Sequence, residues 1–199
     1  LSIRLNVLGE EHEATITTYN SIATNFYNMG NYSKAVEYYT KVVMGFEKLL
    51  GADHPKLAIV ISNLGSAYSN LYDYDKALEY AYTLINNCPK ARSTVYVNTA
   101  NIYRQKIARS KSLAEKSVNI DSLMKVYDYR LAAFADDAKY GEVYIIKNKA
   151  KDYYKYRAED KAGMLKLFRH GIEIDTEIDP TFINQYFTVL VEEYEALNV

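Results

Sequence analysis

Apolar residues recur at helical spacing in the first half of the chain. Tyr19, Ile22, Ala23 and Phe26 stand at i, i+3, i+4 and i+7, the stripe of an amphipathic helix. The segment "NMGNY" interrupts it, with Gly30 available to end a helix in the left-handed conformation. Ser33 then reads as the N-cap of a second helix, whose stripe is Ala35, Tyr38, Tyr39 and Val42. The order returns downstream: Ile61, Leu64, Gly65 and Tyr68, then Asp75 as a cap, then Ala77, Ala81 and Leu84.

The return is a true repeat. "LGEEHEAT" begins at Leu8 and "LGADHPKL" at Leu50, a period of 42 residues. Tyr32, Lys34, Ala35, Glu37 and Tyr38 coincide with Tyr74, Lys76, Ala77, Glu79 and Tyr80. A fixed period in this range marks a repeat architecture. Small residues at Ala23 and Ala35, and at Gly65 and Ala77, let two antiparallel helices approach closely. One helix pair cannot bury its apolar face alone, so neighbours must stack.

The pattern predicts repeat 1 over 8–49 and repeat 2 over 50–91. "LSIRLNVLGE" aligns with "VMGFEKLLGA" at 43–52, so residues 1–7 read as the end of a truncated upstream repeat, with at least one helix expected before Leu1. An irregular repeat 3 is expected over 92–136, with Tyr96, Thr99, Ala100 and Tyr103 on its first helix. That helix reads as continuing to about Glu115, with Ser117 or Asn119 capping the next, which carries Leu123, Met124, Tyr127, Leu131 and Phe134. Repeat 4 covers 140–176: Ile146, Ala150 and Tyr153, then a helix from near Asp160 with Ala162, Leu165 and Phe168. Pro180 suits the first turn of a final capping helix within 180–198.

The signature positions Tyr19–Ile22–Ala23–Phe26–Ala35–Tyr39 and Ile61–Leu64–Gly65–Tyr68–Ala77–Pro89 resemble the tetratricopeptide repeat (TPR). Ala81 departs, standing where that family has an aromatic. The 42-residue period and the "LGxxHP" connector over 8–91 look like the longer variant of kinesin light chains. The stretches "INNCPKARSTVYVNTANIYRQ", "DSLMKVYDYRLAAF" and "AKDYYKYRAED", within 85–180, are similar to TPR proteins of Bacteroidetes-type bacteria. The resemblance implies an all-α fold: a right-handed TPR-type α-solenoid of helix-turn-helix repeats with a C-terminal capping helix, one solenoid over 1–199. It implies a protein–protein interaction scaffold and no catalysis. The back-half resemblance implies the cell envelope or periplasm, and the kinesin-like repeats the cytoplasm.

Composition agrees with a soluble helical protein. Hydrophobic residues make up 49% and charged residues 25% of 199, and three Pro and eight Gly leave room for long helices. A formal net charge of −1 gives no reason to expect nucleic acid. No apolar run reaches the roughly 20 residues that would insert in a membrane. Cys88 is the single cysteine, so no intramolecular disulfide can form.

Catalytic, metal and cofactor chemistry find no constellation, and none is expected. His12 and His54 occupy successive connectors, one repeat apart, where a local capping hydrogen bond is the ordinary role. "GEEHE" has carboxylates near a His without metal-ligand spacing, and His170 has no nearby Cys. Tyr19, Phe26, Tyr39, Tyr68, Tyr103 and Tyr153 fall on core positions. Tyr27, Tyr82, Tyr154 and Tyr156 do not, and are freer to face a partner.

A second stripe carries the functional expectation. Relative to Ala23, Gly65, Ala100 and Ala150, the residues two earlier are Ser21, Asn63, Asn98 and Asn148. One later stand Thr24, Ser66, Asn101 and Lys151; five later stand Asn28, Asn70, Gln105 and Lys155. The offsets i, i+3 and i+7 put each trio on one helix face, and every member is polar. In TPR stacks the first helices line the concave surface, and peptide-binding members use an Asn at the position of Asn63, Asn98 and Asn148. Ser21 departs from that. The resemblance therefore implies a groove for an extended peptide or partner helix, whose backbone the amides match as donor and acceptor. Arg104, Lys147, Lys151 and Lys155 would favour an acidic partner toward the C-terminal half. A structural, oligomerisation or regulatory module of a larger protein is the alternative.

Overall fold

The computed structural model describes residues 2–51, 54–87, 93–136, 141–175 and 180–197. These form helices only, in two compact units, Leu1–Arg109 and Ser110–Val199. The division falls inside the segment expected as repeat 3. Cys88, Pro89 and Asp53 lie outside the described residues. Among the described residues no helix is long and apolar enough to cross a membrane.

The first unit contains α1 (Ser2–Leu8), α2 (Glu13–Asn28), α3 (Tyr32–Leu50), α4 (Pro55–Asn70), α5 (Tyr74–Asn87) and α6 (Ser93–Arg109). Helix α2 packs on α3, α3 on α4, α4 on α5, and α5 on α6. Of the predicted apolar stripes, Tyr19, Ala23, Ala35, Tyr39 and Val42 in the first repeat and Ile61, Leu64, Ala77, Ala81 and Leu84 in the second are buried, while Ile22, Phe26, Tyr38 and Tyr68 are half-buried. The small residues do let the helices meet. A Cβ added at Gly65 would lie 3.4 Å from the Ala77 carbonyl oxygen.

Aromatic packing repeats with the sequence. Phe26 stacks on Tyr38 and Tyr68 on Tyr80, each at 5.7 Å between ring centroids. Lys34 and Lys76 cover the Phe26 and Tyr68 rings at 5.1 and 5.2 Å. Such contacts add modestly to burial.

Both connector histidines cap helices. His12 Nδ1 accepts from the Ala14 N–H and His54 Nδ1 from the Lys56 N–H, each at 3.1 Å. The caps of the second helices differ from expectation. Asn31, not Ser33, accepts from Lys34 N–H at 3.2 Å, and Asp73, not Asp75, accepts from Lys76 N–H at 3.3 Å. Each helix starts two residues earlier than read, because an equally good capping side chain precedes the tyrosine at its first position.

The second unit contains α7 (Leu113–Phe134), α8 (Glu142–Tyr156), α9 (Lys161–Ile174) and α10 (Pro180–Leu197), packed in sequence order. Neither Ser117 nor Asn119 caps α7. Ser112 does, accepting from Glu115 N–H at 3.1 Å while the Glu115 carboxylate accepts from Lys111 N–H at 2.8 Å. This is a reciprocal capping arrangement; α6 ends at Arg109. Asn119 is instead buried inside α7, donating to Ser110 Oγ at 3.1 Å. Tyr127 donates to Asp152 at 2.6 Å in the buried α7–α8 contact. At the C-terminal end Phe168 and Phe182 pack at 4.8 Å between centroids, joined by Ala150, Met164 and Val189 in one buried cluster. Helix α10 starts at Pro180, as expected.

Candidate functional site: an uncharged polar cavity on the first unit

The polar stripe comes together in part. A cavity of about 180 Å³ is lined from α2 by Tyr27, from α4 by Ser66, Ser69 and Asn70, and from α6 by Asn98, Asn101, Ile102 and Gln105. Five of these, Ser66, Asn70, Asn98, Asn101 and Gln105, are stripe residues. Ile102 and Ser69 are 4% and 6% exposed and form its floor, while Asn70, Asn101 and Gln105 are exposed at its rim.

Hydrogen bonds hold this array. The Asn70 amide donates to the Tyr27 hydroxyl at 3.0 Å and to the Ser66 carbonyl at 2.9 Å. A carbonyl only accepts, so Asn70 must present its NH₂ there, and its Oδ1 is the atom not used in these bonds. Asn101 Oδ1 accepts from the Arg104 guanidinium at 2.5 Å. Guanidinium only donates, so the Asn101 NH₂ is the group left over. Asn98 donates to Ser62 Oγ in a long contact of 3.4 Å.

The other stripe residues lie elsewhere. Asn63 is half-buried and does not line the cavity; its neighbour Ser62 meets Asn98 instead. Thr24 turns into its own repeat, bonding the Asn20 carbonyl at 3.0 Å and the Tyr39 hydroxyl at 3.2 Å. Ser21 donates to the Thr17 carbonyl at 3.1 Å, and Asn28 is exposed. Asn148, Lys151 and Lys155 are on α8 of the second unit. There Asn148 donates back to the Tyr144 carbonyl at 2.7 Å, and Lys155 lies 5.0 Å from the Tyr156 ring. Lys147 is largely enclosed and ion-paired with Asp175, so it is drawn out of the basic set. Arg104 belongs to the first unit.

Of the four off-signature tyrosines, Tyr27 lines the cavity. Tyr82 meets the Tyr103 hydroxyl at 3.0 Å and Tyr154 packs edge-on against Phe168 at 6.2 Å. The offset rule missed Tyr27, Ser69 and Ile102, because it followed one stripe per helix and the cavity also takes the residues beside it. His170 faces Glu142 at 3.2 Å.

Comparison with known proteins agrees with this architecture. The tetratricopeptide repeat family model matches residues 15–56 and 57–83. No curated protein matches the chain by sequence. Two crystal structures of the kinesin light chain nearly identical TPR-like repeats of Podosopora anserina are similar to it. One has a TM-score of 0.63 at 17% identity, covering 87% of this chain and 80% of that one. The other has 0.62 at 15% identity, covering 96% and 82%. A thermophilic TPR protein of Thermus thermophilus follows, with 0.52 at 11% identity, covering 89% and 82%. At these identities the likeness speaks for the fold. Repeats of this kind generally mediate protein–protein interaction, and scaffolds built from them are typically non-catalytic. With the 42-residue register, the paired helices and the matched repeats, residues 15–83 carry tetratricopeptide repeats, within an all-α, TPR-solenoid fold.

Proposed function

We propose that the chain is an interaction module that holds an extended segment of a partner protein along α2, α4 and α6, over the cavity floored by Ile102 and Ser69. One observation carries the reading: hydroxyl and amide side chains from three successive first helices converge on one cavity with no charged residue in its lining. A merely solvated helix face would serve as well with Lys or Glu. Amides supply a donor and an acceptor together, as an extended backbone requires. In the second unit, taken by itself, exposed Lys151 and Lys155 favour an acidic stretch of a partner.

The test is capture from lysate and envelope fractions of the source organism, with wild type beside an Asn98→Ala/Asn101→Ala variant of unchanged helicity. A partner kept by wild type and lost by the variant supports the groove. A partner kept by both overturns it.

A second reading is self-association. Phe187, Leu190 and Val191 on α10 are 54%, 37% and 53% exposed and share one face at i, i+3 and i+4. Light scattering decides it: a stable dimer of wild type that Phe187→Glu dissolves supports this role.

A further inference from the structure

We propose that the α2–α4–α6 cavity is a pocket for one side-chain carboxamide, an Asn or Gln of the bound segment, and that it rejects the corresponding carboxylate. The inference rests on the groove reading above and goes a step further, from a surface to a residue type.

Three features select the occupant. Size is the first. About 180 Å³ is well under the roughly 300–1,000 Å³ of small-molecule sites, and suits the end of one side chain. Depth is the second. The floor residues Ser69 and Ile102 are buried while the rim amides are exposed. A main chain running across the rim cannot descend to that floor, because its flanking residues would have to follow. A side chain can.

Chemistry is the third. Both N–H groups of Asn70 are used, on the Tyr27 hydroxyl and the Ser66 carbonyl, so what Asn70 offers a ligand is the acceptor Oδ1. The Asn101 Oδ1 is used by Arg104, so what Asn101 offers is its NH₂ donor. The Arg104 charge polarises that amide and strengthens it as a donor. These orientations are dictated by partners that can only accept or only donate. These bonds leave Asn70 an acceptor and Asn101 a donor at the rim of the cavity. A carboxamide satisfies both, with its N–H on Asn70 Oδ1 and its carbonyl on Asn101 Nδ2. A carboxylate satisfies the donor and sets its lone pairs against Asn70 Oδ1. An ammonium satisfies the acceptor and leaves Asn101 unanswered. A bound segment that covers the rim discriminates by this pairing, because the wrong group leaves polar atoms unpaired once they are covered.

The experiment is selection of a random dodecapeptide display library on the full chain. An enriched peptide is then resynthesised with its shared residue changed, and titrated against wild type and Asn101→Leu. Rim residue Asn101 is exposed, and circular dichroism with thermal melting establishes that the variant is folded. An Asn70→Asp variant, which removes the donors to Tyr27 and Ser66, is the second probe. The expected result is Gln or Asn at one fixed place in the enriched peptides. Changing it to Glu or Lys should weaken binding at least about tenfold on wild type, with the discrimination falling below about threefold on Asn101→Leu. Peptides that lose affinity on Asn101→Leu and Asn70→Asp but tolerate Glu or Lys in place of Gln overturn the carboxamide pocket and leave the groove standing. Peptides unaffected by either variant, or no enrichment at all, overturn both.

Discussion

The side-chain amide of Asn70 on α4 donates to the hydroxyl of Tyr27 on α2 across 3.0 Å. The two residues are 43 positions apart, one period plus one, so the bond ties successive repeats along the face of the candidate site. Tyr27→Phe should keep the fold and lower stability by roughly 0.5–1.5 kcal/mol, the net worth of one hydrogen bond. It should also free an Asn70 N–H and loosen the orientation of its Oδ1. Chemical denaturation checks the first expectation, and the display-selected peptides check the second through a drop in Gln-over-Glu discrimination.

Gly30 and Tyr72 hold the same place in consecutive repeats, and both are left-handed, with φ of 74° and 63°. A Cβ at Gly30 meets open space, so Gly30→Ala should cost about 1 kcal/mol from conformation alone. Tyr72 already carries that strain. Its ring lies 3.8 Å under the Arg109 guanidinium, a contact of about 0.5–1 kcal/mol at an exposed site. Tyr72→Gly relieves the first and loses the second, so the melting temperature should change little. In the Tyr72→Gly background, Arg109→Ala should cost less than in wild type. Equal costs in both backgrounds would show that the ring contact contributes nothing.

The caps of α2 and α4 give a substitution series. His54→Ala should lose about 1 kcal/mol, because the Lys56 N–H is left without its acceptor. His54→Asn should recover most of that, since Asn caps through its own side-chain oxygen. His12→Ala and His12→Asn on α2 should behave alike. Amide exchange at Lys56 and Ala14 reads the caps directly.

Tyr153 and Asp160 give the second unit a pH signature. Burial and then the hydrogen bond to Asp160 push the Tyr153 phenol up to about 12. The same bond from Tyr153, with the Gly163 N–H, holds the Asp160 carboxyl below its usual value. A phenol raised by folding keeps its proton longer in the native state. Its contribution is intact below the unfolded value near 10 and fades as pH rises toward about 12. Asp160 works the other way: its contribution is present above the unfolded carboxylate value near 4 and is lost as pH falls through the folded one. Tyr153→Phe should flatten both limbs of a melting-temperature profile: the alkaline one because the phenol is gone, the acid one because the Asp160 carboxyl returns toward its usual value. An unaltered profile would show that the pair carries no linkage.

Gly171 on α9 packs closely against Phe182 of the C-terminal cluster. A Cβ there would sit 2.8 Å from the Phe182 ring, and Phe182 is 1% exposed with nowhere to swing. Gly171→Ala should destabilise by about 1–3 kcal/mol through overpacking, despite the better helix propensity of Ala. Thermal melts of Gly171→Ala beside Phe182→Leu/Gly171→Ala check the cause, since the smaller partner should recover part of the loss.

The repeat, the paired helices and their buried stripes were legible in the sequence. Helical hydrogen bonding sets the spacing of faces, and Tyr19, Ala23, Ala35 and Tyr39 mark the buried face whatever lies around them. The connector histidines were legible as caps for the same local reason. Ser33 and Asp75 were misplaced as caps because Asn31 and Asp73 offer equivalent oxygens two residues earlier, and helix ends are decided by small differences between such candidates. The site was legible only in part. The polar stripes on α4 and α6 are written in the sequence, but which members face each other depends on how far each helix is rotated and shifted against the next. Buried packing sets that: it brought Ser62 rather than Asn63 to Asn98, drew Thr24 onto Tyr39, and put Tyr27 beside Asn70. A local pattern lists the side chains on a face; only the meeting of three helices determined which of their amide atoms remain for a ligand.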